Sequence, residues 1–422
     1  MLKDINNSIK GSLFYWGIYD WATSAYSTII LTFVFSSYFV NWVAPNKIDG
    51  VALWGSSLGI AGLFVALGGP ILGAIADQSG LRKLWMAPFT ALCIISVTLL
   101  WFVKPSSQYI PLGLSLVVIA SISFEYSYIF YNAMLPDLAP PNKLGRWSGW
   151  GWMMGYAGGI ACLFLCLLVT QTESLFFSKL IETEKIRSVF LLAACWIAIF
   201  STPFFLFVPQ TKMYSNLPLR ILIVESIKKL FSTIIHLKMT RNMVQFLIAR
   251  MIYNDALITL FAFGGIYASA MFQMSEQEVL LFGISLNVSA GVGAGIFAIF
   301  DDLFGSKKMI VISLIGLIST GMLAIFSMTE IEFWLAGLCM GIFVGPVQAS
   351  SRSYLARIAP KEMRTQMFGF YALSGKATSF IGPLTVSWIT YLTDSMRFGM
   401  VSIMIYFFIG LILSLSIKDD KS

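Results

Sequence analysis

Charge is scarce in this chain: Asp, Glu, Lys and Arg make up 12% of its 422 residues, against roughly 25% in ordinary soluble domains. With 57% hydrophobic residues beside that figure, the composition excludes a soluble globular protein. Histidine is scarcer still. His236 is the only one and falls in a connecting segment, which argues against His-based catalysis and against a His-rich metal site. No nucleotide-binding glycine loop accompanies it, so neither an enzyme nor a cofactor is expected. Cys93, Cys162, Cys166, Cys195 and Cys339 all lie inside apolar runs. That placement suits packing and supplies neither a disulfide framework nor a spaced zinc cluster.

Long apolar runs are what the chain has in plenty. Stretches of about 18 to 25 residues, each able to span the hydrocarbon as a helix, recur with centres near Thr28, Leu63, Ile94, Ile119, Gly158, Ala198, Ala262, Leu286, Leu317, Gly341, Leu373 and Ile405. The start "MLKDINNSIKGSLFYW" lacks a small-residue cleavage site and leads into a run too long for a signal peptide, so the first helix is expected to stay. An N-terminus on the cytoplasmic side places 19 Lys and Arg there and six on the other face. The net charge of +7 thus follows membrane topology, with both termini cytoplasmic, and gives no reason to expect nucleic acid.

The longest polar connection, residues 209–240, separates an expected N-terminal six-helix half (1–208) from a C-terminal one (241–422). Its middle, "LRILIVESIKKLFSTIIHLKM", mixes apolar and basic residues at helical spacing, as a helix lying in the interface does. Three pairs of segments match across that connection. "GAIADQSGLRK" carries Gly73, Asp77, Gly80, Arg82 and Lys83, and "AIFDDLFGSKK" carries Asp302, Gly305, Lys307 and Lys308 at the same spacing. "LAPPNKLGRWSG" and "IAPKEMRTQMFG" share Ala-Pro and a later glycine, Gly149 in one and Gly369 in the other. "IYDWA" and "YNDAL" each place an aspartate early in a run. Such parallel repeats are the arrangement of the major facilitator fold. In the first motif Gly80 permits a turn, Asp77 is expected to cap the following helix, and Arg82 and Lys83 are expected to hold neighbouring carboxylates, making the loop an inner latch.

Ionisable residues inside the runs are the candidate site. An aspartate at the bilayer centre costs about 2.5 to 3.5 kcal/mol on insertion scales, so Asp20 should face inward, with Ser24 and Ser27 on the same helical stripe. Glu125 lies in the fourth run, Arg250 and Asp255 in the seventh, Arg352 in the tenth and Lys376 in the eleventh, with Asn132 and Gln348 as neutral polar groups. Helices one, four, seven and ten line the central cavity of this fold. The charges either neutralise one another as structural bridges, or the acids hold an ammonium or a proton while Arg352 or Lys376 holds a carboxylate. Of the surrounding aromatics, Tyr19, Tyr128 and Tyr253 are the expected cavity contacts. Gly151, Gly155 and Gly159, at four-residue spacing, allow close helix approach.

"WGIYDWATSAYSTIILTFVF", "YNAMLPDLAPPNKLGRWSGWGWMMGYAGG", "GPVQASSRSYLARIAP" and "FGFYALSGKATSFIGP" resemble the signature segments of the vacuole-effluxer-like family of major facilitators. The resemblance covers nearly the whole chain and implies an all-α membrane protein of twelve helices. From the fungal members it implies amino-acid efflux. Asp20, Gln348, Arg352 and Lys376 fall in the shared segments and carry over as site positions. Two departures stand out: Thr23 where Asn usually follows "YDWA", and the absence of the long loops of fungal members, which points to a bacterial inner membrane rather than a vacuole. The expectation is a secondary transporter of a small zwitterionic solute, with a coupling proton carried by Asp20, Glu125 or Asp255. The alternatives are efflux of drugs or siderophores, and a receptor in the same fold that does not transport.

Overall fold

Hydrocarbon offers no partner to a backbone N–H or C=O, so apolar runs that cross it must satisfy their own backbone. The computed structural model describes residues 2–171, 182–210, 221, 223–228, 230 and 241–418, and its runs are helical. In chain order they are α1 (Leu2–Ala25), α2 (Lys47–Ser79), α3 (Arg82–Leu99), α4 (Ile110–Leu138), α5 (Leu144–Gln171), α6 (Glu182–Phe207) and α7 (Arg241–Phe272). Then follow α8 (Glu276–Phe304), α9 (Ser306–Phe326), α10 (Glu330–Ile358), α11 (Arg364–Lys376), α12 (Ile381–Thr393) and α13 (Met396–Ser416). Most of the expected interfacial helix in the 209–240 connection lies outside the described residues.

Local chemistry marks the helix ends. Ser275 and Glu278 form a reciprocal capping box at the start of α8, and Thr329 and Glu332 form another at α10, each satisfying amides that the first turn leaves without partners. Gly80 and Gly305, the repeated glycines of the two short loops, have φ of 68° and 91°, a region where a Cβ is strained. Beyond Ala25 the first span widens into π-helical turns over Tyr26–Phe33 and Phe39–Val43, where Thr32 Oγ1 donates to the Ser27 carbonyl at 2.8 Å.

Among the described residues, eleven helical stretches are long and apolar enough to cross a membrane. The run centred near Leu373 differs from the expectation of one continuous span, because it is two 13-residue helices, α11 and α12, joined by a turn. Pro383 explains the break: in an unbroken helix its ring would press on the Ser379 carbonyl and its missing N–H would leave a gap in the ladder. The turn tightens instead, with Ser379 N–H donating to Lys376 O and Ile381 N–H to Thr378 O. Pro383 then sits in the first turn of α12, where no helical N–H is required.

The chain forms two compact units. The first comprises Met1–Val65, Ser79–Met134 and Met154–Ser215, and the second Ala66–Gln78, Leu135–Met153 and Asn216–Ser422. Within the first unit α6 packs on α1 and α3; within the second, α13 packs on α7 and α9. Those pairings correspond under the internal repeat. Leucines, isoleucines and phenylalanines such as Leu63, Phe64, Leu67, Ile95, Leu323 and Leu335 are exposed, as residues facing lipid are.

Candidate functional site

Asp20 lies in the first unit, 3% exposed, and two phenols from α4 reach its carboxylate. Tyr128 donates to one oxygen and Tyr131 donates to the other at 3.2 Å. They stand three residues apart on α4, so both hydroxyls arrive on one helical face. Thr23, one turn from Tyr19, donates to the Tyr19 carbonyl at 2.8 Å and lies 3.2 Å from the Tyr128 hydroxyl. Trp16 stacks on Tyr131 at 4.3 Å and donates to its carbonyl, which fixes the ring whose hydroxyl meets the acid. Glycines of α5 close the other side: a Cβ on Gly155 would lie 3.0 Å from Asp20 Oδ1 and 2.8 Å from Ser24 Oγ. A Cβ on Gly158 would lie 2.7 Å from the Cα of Trp21.

Tyr19 departs from its expected place as a cavity contact. It is fully buried, packed against Phe204, Phe205 and Tyr131, with its hydroxyl 2.8 Å from Thr90 of α3. Tyr131 was the partner that sequence reasoning missed, and its position three residues after Tyr128 was the available signal. Glu125 is half-buried one turn before Tyr128.

In the second unit, α7 holds the broken helix by its backbone. Arg250 donates to the Tyr371 carbonyl at 2.6 Å and to Ser374 Oγ at 2.8 Å, and its guanidinium lies 3.3 Å from the Tyr371 ring centroid. Asn254 Nδ2 donates at 3.0 Å to the Gly375 carbonyl, whose helical donor, Ser379 N–H, has turned to Lys376. Asp255 Oδ2 accepts the Gly382 N–H at 3.1 Å, the amide freed where the ladder is cut. Asn254 and Asp255 thus answer backbone groups freed at the break, and Arg250 a carbonyl and a hydroxyl of α11 just before it. Both contacts are close: a Cβ on Gly375 would lie 3.0 Å from Arg250 Nη1, and one on Gly382 would overlap Thr259 Oγ1.

Tyr253 is 1% exposed and shares a 2.7 Å hydrogen bond with Ser351 of α10, so it ties α7 to α10 rather than lining open space. Arg352, also 1% exposed, donates from Nε to Ser148 Oγ at 2.9 Å and from Nη2 to the Ser148 carbonyl at 2.6 Å, with Trp152 beside it. Ser148 in turn donates to the Ala349 carbonyl at 2.7 Å. Gln348 is half-buried and donates to the Val344 carbonyl at 3.4 Å. Lys376 is half-buried at the last residue of α11, where a cation suits the negative end of the helix dipole.

The aspartates of the two repeated loops, Asp77 and Asp302, make a matched pair of contacts, each within the second unit. Asp77 accepts the N–H groups of Thr365 and Gln366 at 3.0 and 2.8 Å, and Asp302 accepts those of Gly145 and Arg146 at 2.8 and 3.1 Å. Each aspartate therefore sits on the first turn of a helix from the other half of the sequence, where four N–H groups lack helical partners and the dipole is positive. This differs from the expected cap: the helix that follows Asp77, α3, starts at Leu81 with no side-chain cap. Close packing supports both contacts. A Cβ on Gly73 would lie 2.7 Å from Gln366 Cα, one on Gly369 would lie 2.7 Å from Pro70 Cα, and one on Gly149 would lie 3.1 Å from Ala298 Cα.

Ion pairs flank each contact: Arg364 with Asp137 on one side, and Arg357 with Asp301 and Asp302, at 3.0 Å each, on the other. Asp301 and Arg364 lie within the matched segments without having been singled out, and Asp137 and Arg357 lie just outside them, at the same distance before Pro140 and Pro360 of the two Ala-Pro pairs. Arg82 donates to the Ala133 carbonyl at 3.3 Å, and Lys83 donates to the Val208 carbonyl at 2.6 Å rather than to a carboxylate. Lys307 is half-buried and Lys308 is exposed.

These features match known proteins. The profile of the family described as vacuole effluxer Atg22 like covers residues 39–146 and 142–422. A Bacillus subtilis (strain 168) protein named uncharacterized MFS-type transporter YxiO is 28% identical over 413 residues, covering 96% of this chain and 95% of its own. Autophagy-related protein 22-2 of Aspergillus niger is 29% identical over 206 residues, 45% of this chain and 33% of the fungal one. In three dimensions the Escherichia coli fucose:proton symporter FucP aligns over 98% of both chains with a TM-score of 0.73 at 11% identity, a likeness of fold. The chain belongs to the vacuole effluxer Atg22-like family, and it is a secondary transporter of the major facilitator superfamily rather than an enzyme.

Proposed function

We propose that this transporter moves a zwitterionic solute of the amino-acid class by alternating access, coupled to protons, across a bacterial inner membrane with both termini cytoplasmic. The observation that carries the substrate class is the Asp20 carboxylate, buried at membrane depth and held in place by Tyr128 and Tyr131. A carboxylate oriented by hydrogen bonds rather than left to rotate is suited to an ammonium group. A solute of the amino-acid class carries that ammonium beside a carboxylate, whose complementary partner in a protein is the planar fork of an arginine or the point charge of a lysine.

Alternating access needs contacts that close one end and can be released. The latches at Asp77 and Asp302 suit that role, because each joins segments from opposite halves of the sequence by two backbone hydrogen bonds. Taking 209–240 as the link between two six-helix halves, release of both latches would let the halves rock about a midplane site.

The test is uptake of a labelled amino-acid mixture into proteoliposomes, with and without an inward proton gradient, in the wild type and Asp20→Asn. Gradient-stimulated uptake that the variant loses supports the reading. Uptake of none of the mixture, in either orientation of the gradient, would overturn the substrate class and favour drug or siderophore efflux.

A further inference from the structure

Asp255 stands apart from the other buried charges. It is 3% exposed in the seventh span, and its Oδ2 accepts only the Gly382 N–H. Its Oδ1 is buried with no hydrogen-bond partner, and among the described residues no cation pairs with it. Arg250, five residues earlier, is occupied with Tyr371 and Ser374. Other titratable and charged groups stand on every element packed against α7: Tyr371 and Lys376 on α11, Tyr391 on α12, and Arg397 and Tyr406 on α13. Arg352, Tyr354 and Arg357 stand on α10, and Glu276, Glu278, Asp301 and Asp302 on α8. With Tyr253 on α7 itself, none of these makes a hydrogen bond or ion pair with the Asp255 carboxylate.

An ionised carboxylate in that setting lacks the pairing that buried charge requires, whereas a neutral one needs none. The surroundings also limit what could neutralise it. A methyl group on Gly382 would already overlap Thr259 Oγ1 and lie 3.0 Å from Asp255 Oδ1, so on that side the carboxylate is close-packed and offers no room for a hydrated metal ion. A proton needs no such room.

Geometry ties that proton to a moving part. Asp255 is the side chain that anchors the first turn of α12, across the break that separates it from α11. The ionised carboxylate is a strong acceptor for an N–H at a helix N-terminus, and the protonated one is a weak acceptor. We infer that Asp255 is the proton-binding site of this transporter and that its protonation loosens the anchor between α7 and α12 at the break in the eleventh span. This rests on the reading of the chain as proton-coupled, and it names the group and the element through which coupling acts.

The test needs no substrate. Hydrogen–deuterium exchange of the segment 377–390 is followed in the full chain in nanodiscs from pH 5 to 9, normalised to intrinsic exchange at each pH. It is measured in wild type, Asp255→Asn and Asp255→Glu, in sodium and in choline chloride. Protection in the wild type is expected to fall about tenfold as the carboxyl takes up its proton, the scale of losing one charge-assisted hydrogen bond. Asp255→Asn abolishes the pH response, and Asp255→Glu keeps it with a displaced midpoint, so a poorly folding Asn variant still leaves a decisive arm. A pH response unchanged in Asp255→Asn, a flat wild-type profile, or a response to sodium at fixed pH would overturn the assignment. A failed amino-acid uptake assay would leave this readout intact.

Discussion

Asp20 and Asp255 occupy corresponding places in the two halves of the repeat, and the two halves treat them differently. Around Asp20 the partners are side chains: two phenols from α4, with α5 running unbroken past it and presenting Gly155 to Asp20 and Ser24. Around Asp255 the partner is backbone: α12 starts at the site, and Gly382 faces Asp255 and Thr259. The aspartate and the hydroxyl one turn later recur in both, as does the facing glycine. What differs is Pro383, which interrupts one helix and has no counterpart of the same effect in α5. A carboxylate held by hydroxyls can exchange one of them for a ligand's ammonium. One that caps a helix changes the position of that helix when its charge changes.

The largest expected effect comes from the glycine that differs most between the two sites. Gly382→Val should destabilise the protein by about 1 to 3 kcal/mol through overpacking, read as a lower midpoint of thermal unfolding in detergent. Gly155→Val should cost less, because the Ser24 hydroxyl it meets can rotate away while Thr259 Oγ1 is committed to the Asp255 carbonyl. Equal losses would erase the distinction between a continuous and an interrupted span.

Comparable in size is Tyr128→Phe, which takes from Asp20 a phenol donor. A hydrogen bond to a charged group is worth about 1.5 to 3 kcal/mol, so KM for the transported solute should rise about tenfold or more with the fold intact. An unchanged KM would mean that the phenol only packs. Arg250→Lys keeps the charge but loses the forked reach to Tyr371 O and Ser374 Oγ, and should lower stability by about 1 to 2 kcal/mol while leaving KM near its wild-type value. A raised KM with unchanged stability would return Arg250 to the list of substrate contacts. The smallest effect belongs to Tyr131→Phe: the bond to Asp20 is long at 3.2 Å, and the stacking on Trp16 survives, so the loss should stay below about 1 kcal/mol.

Apolar runs and repeats made the architecture legible, and the cost of Asp20 in hydrocarbon made its burial legible. The partners were not. Asp77 was expected to act on the helix beside it, yet its acceptor role is toward Thr365 and Gln366, 288 and 289 positions away. Local capping preference says that an aspartate seeks free N–H groups and does not say whose. Pro383 was in plain view within "SFIGP", but hydropathy averages over a window and read α11, the turn and α12 as one span. Arg250 and Asp255 were grouped with Asp20 by charge alone. Arg250 instead bonds Tyr371 O and Ser374 Oγ within α11, and Asp255 bonds the Gly382 amide that is freed where the eleventh span is broken.

The division of labour between the two aspartates is tested most directly by one pair of assays on Asp20→Asn and Asp255→Asn in proteoliposomes: solute counterflow without a gradient, and uptake driven by a proton gradient. Asp255→Asn should keep counterflow and lose the stimulation by the gradient, while Asp20→Asn should lose both. Counterflow surviving in Asp20→Asn, or gradient-driven uptake surviving in Asp255→Asn, would contradict the assignment of substrate to one half and proton to the other.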